Sequence, residues 1–225
     1  GDANPWPQRW MERRLRIGVA ERARWGRRRR EELRGALDKL GLSDDDLHAL
    51  GWADMGLTAL LSQPVAVWQA PLLRELDAFE PDLVVMPALA DRHPDHGAAH
   101  VMMRLALAAR QAASPVLGYL IHGHPAAHDH AFDAIDDDAR RQANKFAALE
   151  QYRSQLALSG TRMRRFAGRP ECFFTPPATA GSACLPWRPP RALWPWLLLT
   201  VVDAEGARTW RWPQAPLQRD GAGWR

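Results

Sequence analysis

This sequence predicts an α/β fold with an open, mostly parallel sheet and helices on both faces, and three observations carry that prediction. Leu83-Val84-Val85-Met86-Pro87 is a continuous apolar run after the turn signal Glu80-Pro81-Asp82, as expected of a strand covered on both faces. Residues 94–113 read as an alanine-rich helix with Pro94 in its first turn, and Pro115 ends it before a second apolar run at 116–121. Strand, helix and strand in that order make a crossover between parallel strands, which is nearly always right-handed. Together they predict a Rossmann-like arrangement. The 225 residues, 46% hydrophobic and 25% charged, are enough for one globular domain with a real core.

Upstream of the first strand, Leu15, Val19, Ala23, Leu33, Ala36, Leu37 and Leu40 recur at three- and four-residue steps. That spacing predicts an amphipathic helix over 12–40, with Gly26 as a point of interruption and Gly41 as its stop. Ser43 followed by Asp44, Asp45 and Asp46 predicts a short second helix ending near Gly51, because a serine cap and first-turn carboxylates both suit the positive end of a helix. Beyond the second strand, residues 136–158 predict a further helix with Ala143, Phe146, Ala147, Leu149 and Leu156 on its apolar side. Residues 197–202 and 209–212 flank the turn-like Asp203-Ala204-Glu205-Gly206 and predict a hairpin. Pro176-Pro177 and Pro189-Pro190 bracket the segment before it. The expected organisation is therefore a domain at 1–175 and a Pro/Trp-rich linker with a β extension at 176–225.

Composition narrows the class of function. The longest apolar stretch, residues 193–202, is about half of what a bilayer crossing needs, so no membrane span is expected. Cys172 and Cys184 are too few for a disulfide scaffold and lack the short paired spacings of a sulfur-ligated zinc site. A reducing, cytoplasmic setting is the expectation. The net charge of +4 is local: residues 1–40 hold 12 Lys/Arg against 6 Asp/Glu, leaving 18 against 20 elsewhere. The run Arg27-Arg28-Arg29-Arg30 supports a rival class, a non-catalytic basic module that binds nucleic acid or an acidic surface through the Arg-rich helix at 9–34. Glu31 and Glu32 dilute that run and no stacking aromatics follow it. A solvated helix face with Arg29 turned inward is the preferred reading over a nucleic-acid partner.

The segment that carries chemistry is Asp91-Arg92-His93-Pro94-Asp95-His96, between the first strand and the helix that opens at Pro94. Ligands of open α/β sheets bind in the crevice beyond the carboxyl ends of the strands, which is where this loop falls. His93 and His96 stand three apart across a helix start, so both imidazoles can face one centre while Asp95 is near enough to orient a ring nitrogen. One histidine can then bind a metal while its neighbour handles a proton. A bare HxxH is more simply a helix cap, and the surrounding sequence decides between the two.

That surrounding sequence resembles the PIG-L or LmbE-like zinc-dependent N-deacetylases. Gly1-Asp2-Ala3-Asn4 is similar to the loop after that family's second strand. Arg29, Glu32, Leu33 and Ala36, followed by Leu40-Gly41, fit its "RxxEL..A…LG" helix. Residues 50–57 are similar to its "LGxxDxGL" loop, and Pro87 through Ala98 to its "P….DxHPDHxA" segment. Lys145, Ala148, Tyr152, Ser154 and Gln155 fit its later "K..A…Y.SQ" helix, so the resemblance spans roughly residues 1–175. It implies removal of an acetyl group from an N-acetylated amino sugar of the N-acetylglucosamine type, or a related glycoconjugate, with Zn2+ as cofactor. It implies His96 as a metal ligand and His93 as the group that stabilises the oxyanion and protonates the leaving amine. Asp95 would hold His93 by a hydrogen bond, Arg29 would bind substrate, and Asp54 would line the same pocket. The family's remaining ligands, a histidine and an aspartate, and its general base lie in an "AHPDDE"-type segment. No such segment exists in the 225 residues. The chain is therefore expected to be an N-terminally truncated deacetylase, inactive as this fragment; an inactive paralogue is the other reading.

Two further features compete. His122, His124, His128 and His130 crowd a loop rich in glycine, proline and alanine, read as a polar surface loop, with His122 the exception because it ends the strand beside the HPDH strand. His100, one turn beyond His96, is read as a packing residue. The tryptophans of the tail, Trp187, Trp194, Trp196, Trp210, Trp212 and Trp224, would suit a carbohydrate or partner platform, and core and hairpin packing explains them at least as well.

Overall fold

The chain opens on two helices where the periodicity predicts one. The computed structural model describes residues 6–110, 114–123, 131–132, 138–176, 185, 189–203, 206–220 and 223–224. Helix α1 (Trp6–Glu12) is separated from α2 (Val19–Lys39) by a break at Arg13, whose φ is 51°. The break is held by side chains: Glu21 accepts from Gly18 N at 3.0 Å, and Gln8 donates to the Glu21 carbonyl at 2.6 Å. Leu15 and Val19, expected on the apolar side, are 92% and 79% exposed; Trp25, Glu32 and Ala36 are the buried positions of α2. Gly26 lies inside the helix without interrupting it. Gly41 is the predicted stop, with φ 78°, and the Leu42 and Gly41 N–H groups return to the Leu37 and Asp38 carbonyls, a paired closure that suits a left-handed glycine.

The short second helix at Ser43 is a single 3-10 turn, Asp44–Asp46, in which Asp46 accepts from Ser43 N at 2.7 Å. Helices α3 (Leu57–Leu61) and α4 (Val65–Phe79) follow, neither expected from the pattern. Strand β1 (Val84–Pro87), helix α5 (Pro94–Arg110) and strand β2 (Val116–Tyr119) are the predicted crossover, and β1 and β2 pair in parallel from Val84 with Val116 to Pro87 with Tyr119. Val84 and Met86 are buried whereas Val85 is 47% exposed, so β1 is covered on one face and not on both. Its covered face meets α4 and α5 through Leu72, Leu76, Ala98, Met102 and Leu105.

After β2 come β3 (Ala131–Phe132), α6 (Ala139–Leu149), α7 (Arg153–Ala167) and β4 (Phe173–Phe174). The four strands form one sheet in the order β1-β2-β4-β3, and β4 is antiparallel to both neighbours. The described sheet is thus mixed, with one parallel pair. The helix expected over 136–158 is two helices, and Asp136 and Asp137 lie outside the described residues. The predicted hairpin is β5 (Leu198–Asp203) with β6 (Gly206–Arg211), antiparallel from Leu198 with Arg211 to Asp203 with Gly206. A last short pair, β7 (Arg219–Asp220) with β8 (Gly223–Trp224), ends the chain. Among the described residues no helix is long and apolar enough to cross a membrane.

Candidate metal and substrate site

The loop between β1 and α5 is built around Asp91. Its Oδ1 accepts from His93 N at 2.9 Å, the two-residue reach by which an aspartate shapes a turn, and its Oδ2 accepts from Ile121 N at 2.8 Å and His122 N at 3.0 Å. Arg92 N donates to the His122 carbonyl at 2.8 Å, and Ala88 N to the Tyr119 carbonyl at 2.8 Å. The carboxylate therefore staples the loop after β1 to the loop after β2. Gly118 lets the two approach, since a Cβ there would stand 3.3 Å from that of Ala88. Burial pushes the Asp91 carboxyl up, but the N–H groups of His122, His93 and Ile121 and the His96 ring hold it down at about 2.

On this base three imidazoles come together. The rings of His93 and His96 are 4.7 Å apart, and that of His122 is 5.3 Å from the first and 5.4 Å from the second. His96 Nδ1 is 3.1 Å from Asp91 Oδ2, at ion-pair distance but without hydrogen-bond alignment. His93 Nδ1 and His96 Nδ1 are both buried with no hydrogen-bond partner among the described residues. Burial lowers the affinity of His122 for a proton; the Asp91 carboxylate opposes this, and His96, Arg162 and His93 add to it. His100 is a packing residue as expected, buried with Nδ1 2.8 Å from the Pro87 carbonyl.

Asp95 does not bond His93 among the described residues. Its Oδ1 accepts instead from Leu57 N at 3.1 Å, which ties the histidine loop to the loop carrying Asp54. Asp54 and Arg29 share one cavity of about 630 Å³, together with Arg22, Arg27, Arg30 and Trp52. Arg29 Nη1 donates to Ser154 Oγ at 3.3 Å. The histidines do not line that cavity, so the sequence-predicted residues fall into two groups, Arg29 with Asp54 and His93 with His96, linked through Asp95. The residues 124–130 of the histidine-rich loop and the opening Gly1-Asp2-Ala3-Asn4 lie outside the described residues.

The donor chemistry fits a divalent cation of the zinc type. Asp91, His96 and His122 each offer an atom within 4.8 Å of the others, and nitrogen with carboxylate oxygen is a donor set that zinc accepts. Asp91 is largely committed to backbone N–H groups. It suits the place behind a metal-binding imidazole, where a carboxylate fixes ring orientation, better than a ligand position.

Residues 3–107 match the PIG-L family, described as GlcNAc-PI de-N-acetylase. That match takes in slightly less than half of the 225 residues, and by it the chain is similar to the PIG-L family. The PIG-L match takes in Arg29, Asp54, His93, Asp95 and His96, and it ends within α5, before His122 and Ser154. In fold the chain is similar to the conserved protein TT1542 from Thermus thermophilus, 24% identical over 73% of this chain and 78% of that one, with a TM-score of 0.50. It is equally similar to the A40926 pseudoaglycone deacetylase Dbv21, 24% identical over 71% and 78%, with a TM-score of 0.50. The zinc-inhibited form of the teicoplanin deacetylase Orf2 is 21% identical over 65% and 72%, with a TM-score of 0.47. No curated protein matches the chain.

Proposed function

We propose that this chain is a member of the PIG-L family and carries part of the site of a zinc-dependent amide hydrolase that removes the acetyl group from an N-acetylated amino sugar or glycoconjugate. The observation that carries the reading is the pair of imidazoles, His93 and His96, 4.7 Å apart in the loop beyond β1 of a parallel pair, in a chain whose residues 3–107 match the PIG-L family. The β1-α5-β2 crossover is the part of a Rossmann-like sheet on which such a site sits.

His96 would hold the cation, with Asp91 beside its Nδ1 at 3.1 Å. Bound zinc supplies a Lewis acid that makes water nucleophilic near neutral pH and polarises the amide carbonyl. His93 delivers a proton to the leaving amine. Asp95 keeps the His93 loop in register with the loop of Asp54, and Arg29 and Asp54 bind the sugar. The histidine and aspartate ligands and the general base of an AHPDDE-type segment have no counterpart in the 225 residues, so these residues alone are not expected to turn over substrate. The two cysteines fit a reducing, cytoplasmic setting.

The test uses the full product of the coding sequence and follows acetate release from an N-acetylglucosamine conjugate. Release should stop on chelation, return with Zn2+, and be abolished by His96→Ala. Release that survives either treatment overturns the reading. Salt-sensitive oligonucleotide binding that His96→Ala leaves intact would favour a basic module at α2 instead.

A further inference from the structure

His122 meets the cation-binding cluster by ring contacts, yet its hydrogen bonding assigns it a different task from His96. Its Nδ1 is 2.9 Å from Arg162 Nη2. A guanidinium donates and never accepts, so Nδ1 must offer its lone pair, and the neutral ring then carries its proton on Nε2. A cation bound through imidazole needs a free ring lone pair. His122 has one, and Arg162 occupies it. The contact is held from both sides. The His122 backbone is fixed by its N–H on Asp91 and its carbonyl under Arg92 N. The Phe166 ring lies edge-on to His122 at 5.5 Å, with the guanidinium of Arg162 over it at 5.3 Å and that of Arg169 at 5.2 Å. Arg162 stands just beyond Ser159, where α7 departs from helical geometry.

We infer that His122 is not a ligand of the cation but a fixed Nε2–H donor beside His93 and His96, and that Arg162 is the positioning residue that locks this tautomer. The donor's target rests on the deacetylase reading: it is the oxygen of the scissile amide, where negative charge gathers as water adds to the carbonyl. A neutral N–H held next to that oxygen stabilises the charge without competing for the metal. The tautomer itself follows from the Arg162 contact alone and does not depend on that reading.

The experiment is nitrogen NMR of the histidine rings in the 15N-labelled chain at neutral pH, with His122→Gln to assign the His122 signals. The expected result is a proton on Nε2 and none on Nδ1, lost to a tautomer mixture in Arg162→Met and retained in Arg162→Lys, which keeps a donor. A proton on Nδ1 in the unsubstituted chain, or a pattern unchanged by Arg162→Met, overturns the inference. Calorimetric titration of the full product of the coding sequence with Zn2+ alone supplies a second arm. His122→Gln should leave the affinity within about twofold, whereas His96→Gln should weaken it by about tenfold or more. Equal losses would make His122 a ligand and sink the proposal. A full product that binds no Zn2+ at all fails the reading of the preceding subsection, while the nitrogen signals still decide this one. If acetate release is established, His122→Gln should lower kcat by about a hundredfold, the scale of a lost oxyanion donor.

Discussion

Asp91 is enclosed, with a side chain that is 0% exposed, and three backbone N–H groups end on it. Asp91→Ala would leave those donors buried without partners, a cost of about 2–4 kcal/mol, read as a lower urea midpoint. The pH dependence has a definite sign. The folded carboxyl sits at about 2, below its ordinary 3.8, so its contribution is complete above about pH 4 and is lost as pH falls through about 2. The stability gap between the parent chain and Asp91→Asn should therefore narrow by about 2 kcal/mol between pH 7 and pH 2. An unchanged gap would show that the staple does not operate through its charge. His93, Asp95 and His96 stand out in the sequence because proline fixes a helix start between them. The part played by Asp91 does not, since its partners Ile121 and His122 are 30 and 31 residues further on. The same holds for His122, whose ring partner Arg162 is 40 residues away.

At the scale of elements, Glu32 and Ser154 explain why the helix expected over 136–158 is divided. Ser154 N donates to Glu32 Oε1 at 2.8 Å and Ser154 Oγ to Glu32 Oε2, so the first turn of α7 is capped by a carboxylate from α2 instead of continuing α6. Both residues are buried, Ser154 completely. A carboxylate at a helix N-terminus is favoured by the helix dipole as well as by its hydrogen bonds. Glu32→Ala is expected to destabilise the chain by about 2–4 kcal/mol and Glu32→Gln by less, because one acceptor oxygen remains. Chemical denaturation of both variants checks the order, and equal losses would argue against the cap. Glu32 and Ser154 each belong to a motif visible in the sequence, but that the two motifs meet is a tertiary fact. Helix α4 was hidden for a different reason: Pro71 interrupts its pattern and removes one backbone donor, yet Trp68, Leu72 and Leu76 still bury one face. Leu72→Ala there should cost about 2–5 kcal/mol, as for any leucine removed from a packed core.

At the scale of the whole molecule, the hairpin of β5 and β6 was legible from the two segments that flank a turn-like stretch, whereas its place on the main core was not. Leu198 and Ala207 pack against the cluster formed by α3, α4, β1 and α5, so the tail contributes cover to the same core that positions the histidine loop. Thr200 and Thr209 share a hydroxyl hydrogen bond of 3.0 Å across the pair, which fixes the register. Side chains alternate across a strand, so Val201 projects opposite to Leu198, and it is 40% exposed. Leu198→Asp places a charge against the apolar cluster and should cost about 2–4 kcal/mol. Val201→Asp should stay within about 1 kcal/mol, a β-propensity effect on an open face. For a chain of this length each kcal/mol lowers the thermal midpoint by about 2–4 °C, so the two variants separate clearly in a melt. If both melt like the parent, the hairpin folds without stabilising the core, and the tail is an independent unit despite its contacts. If only Leu198→Asp falls, the stability of the histidine loop and the integrity of the tail are one quantity.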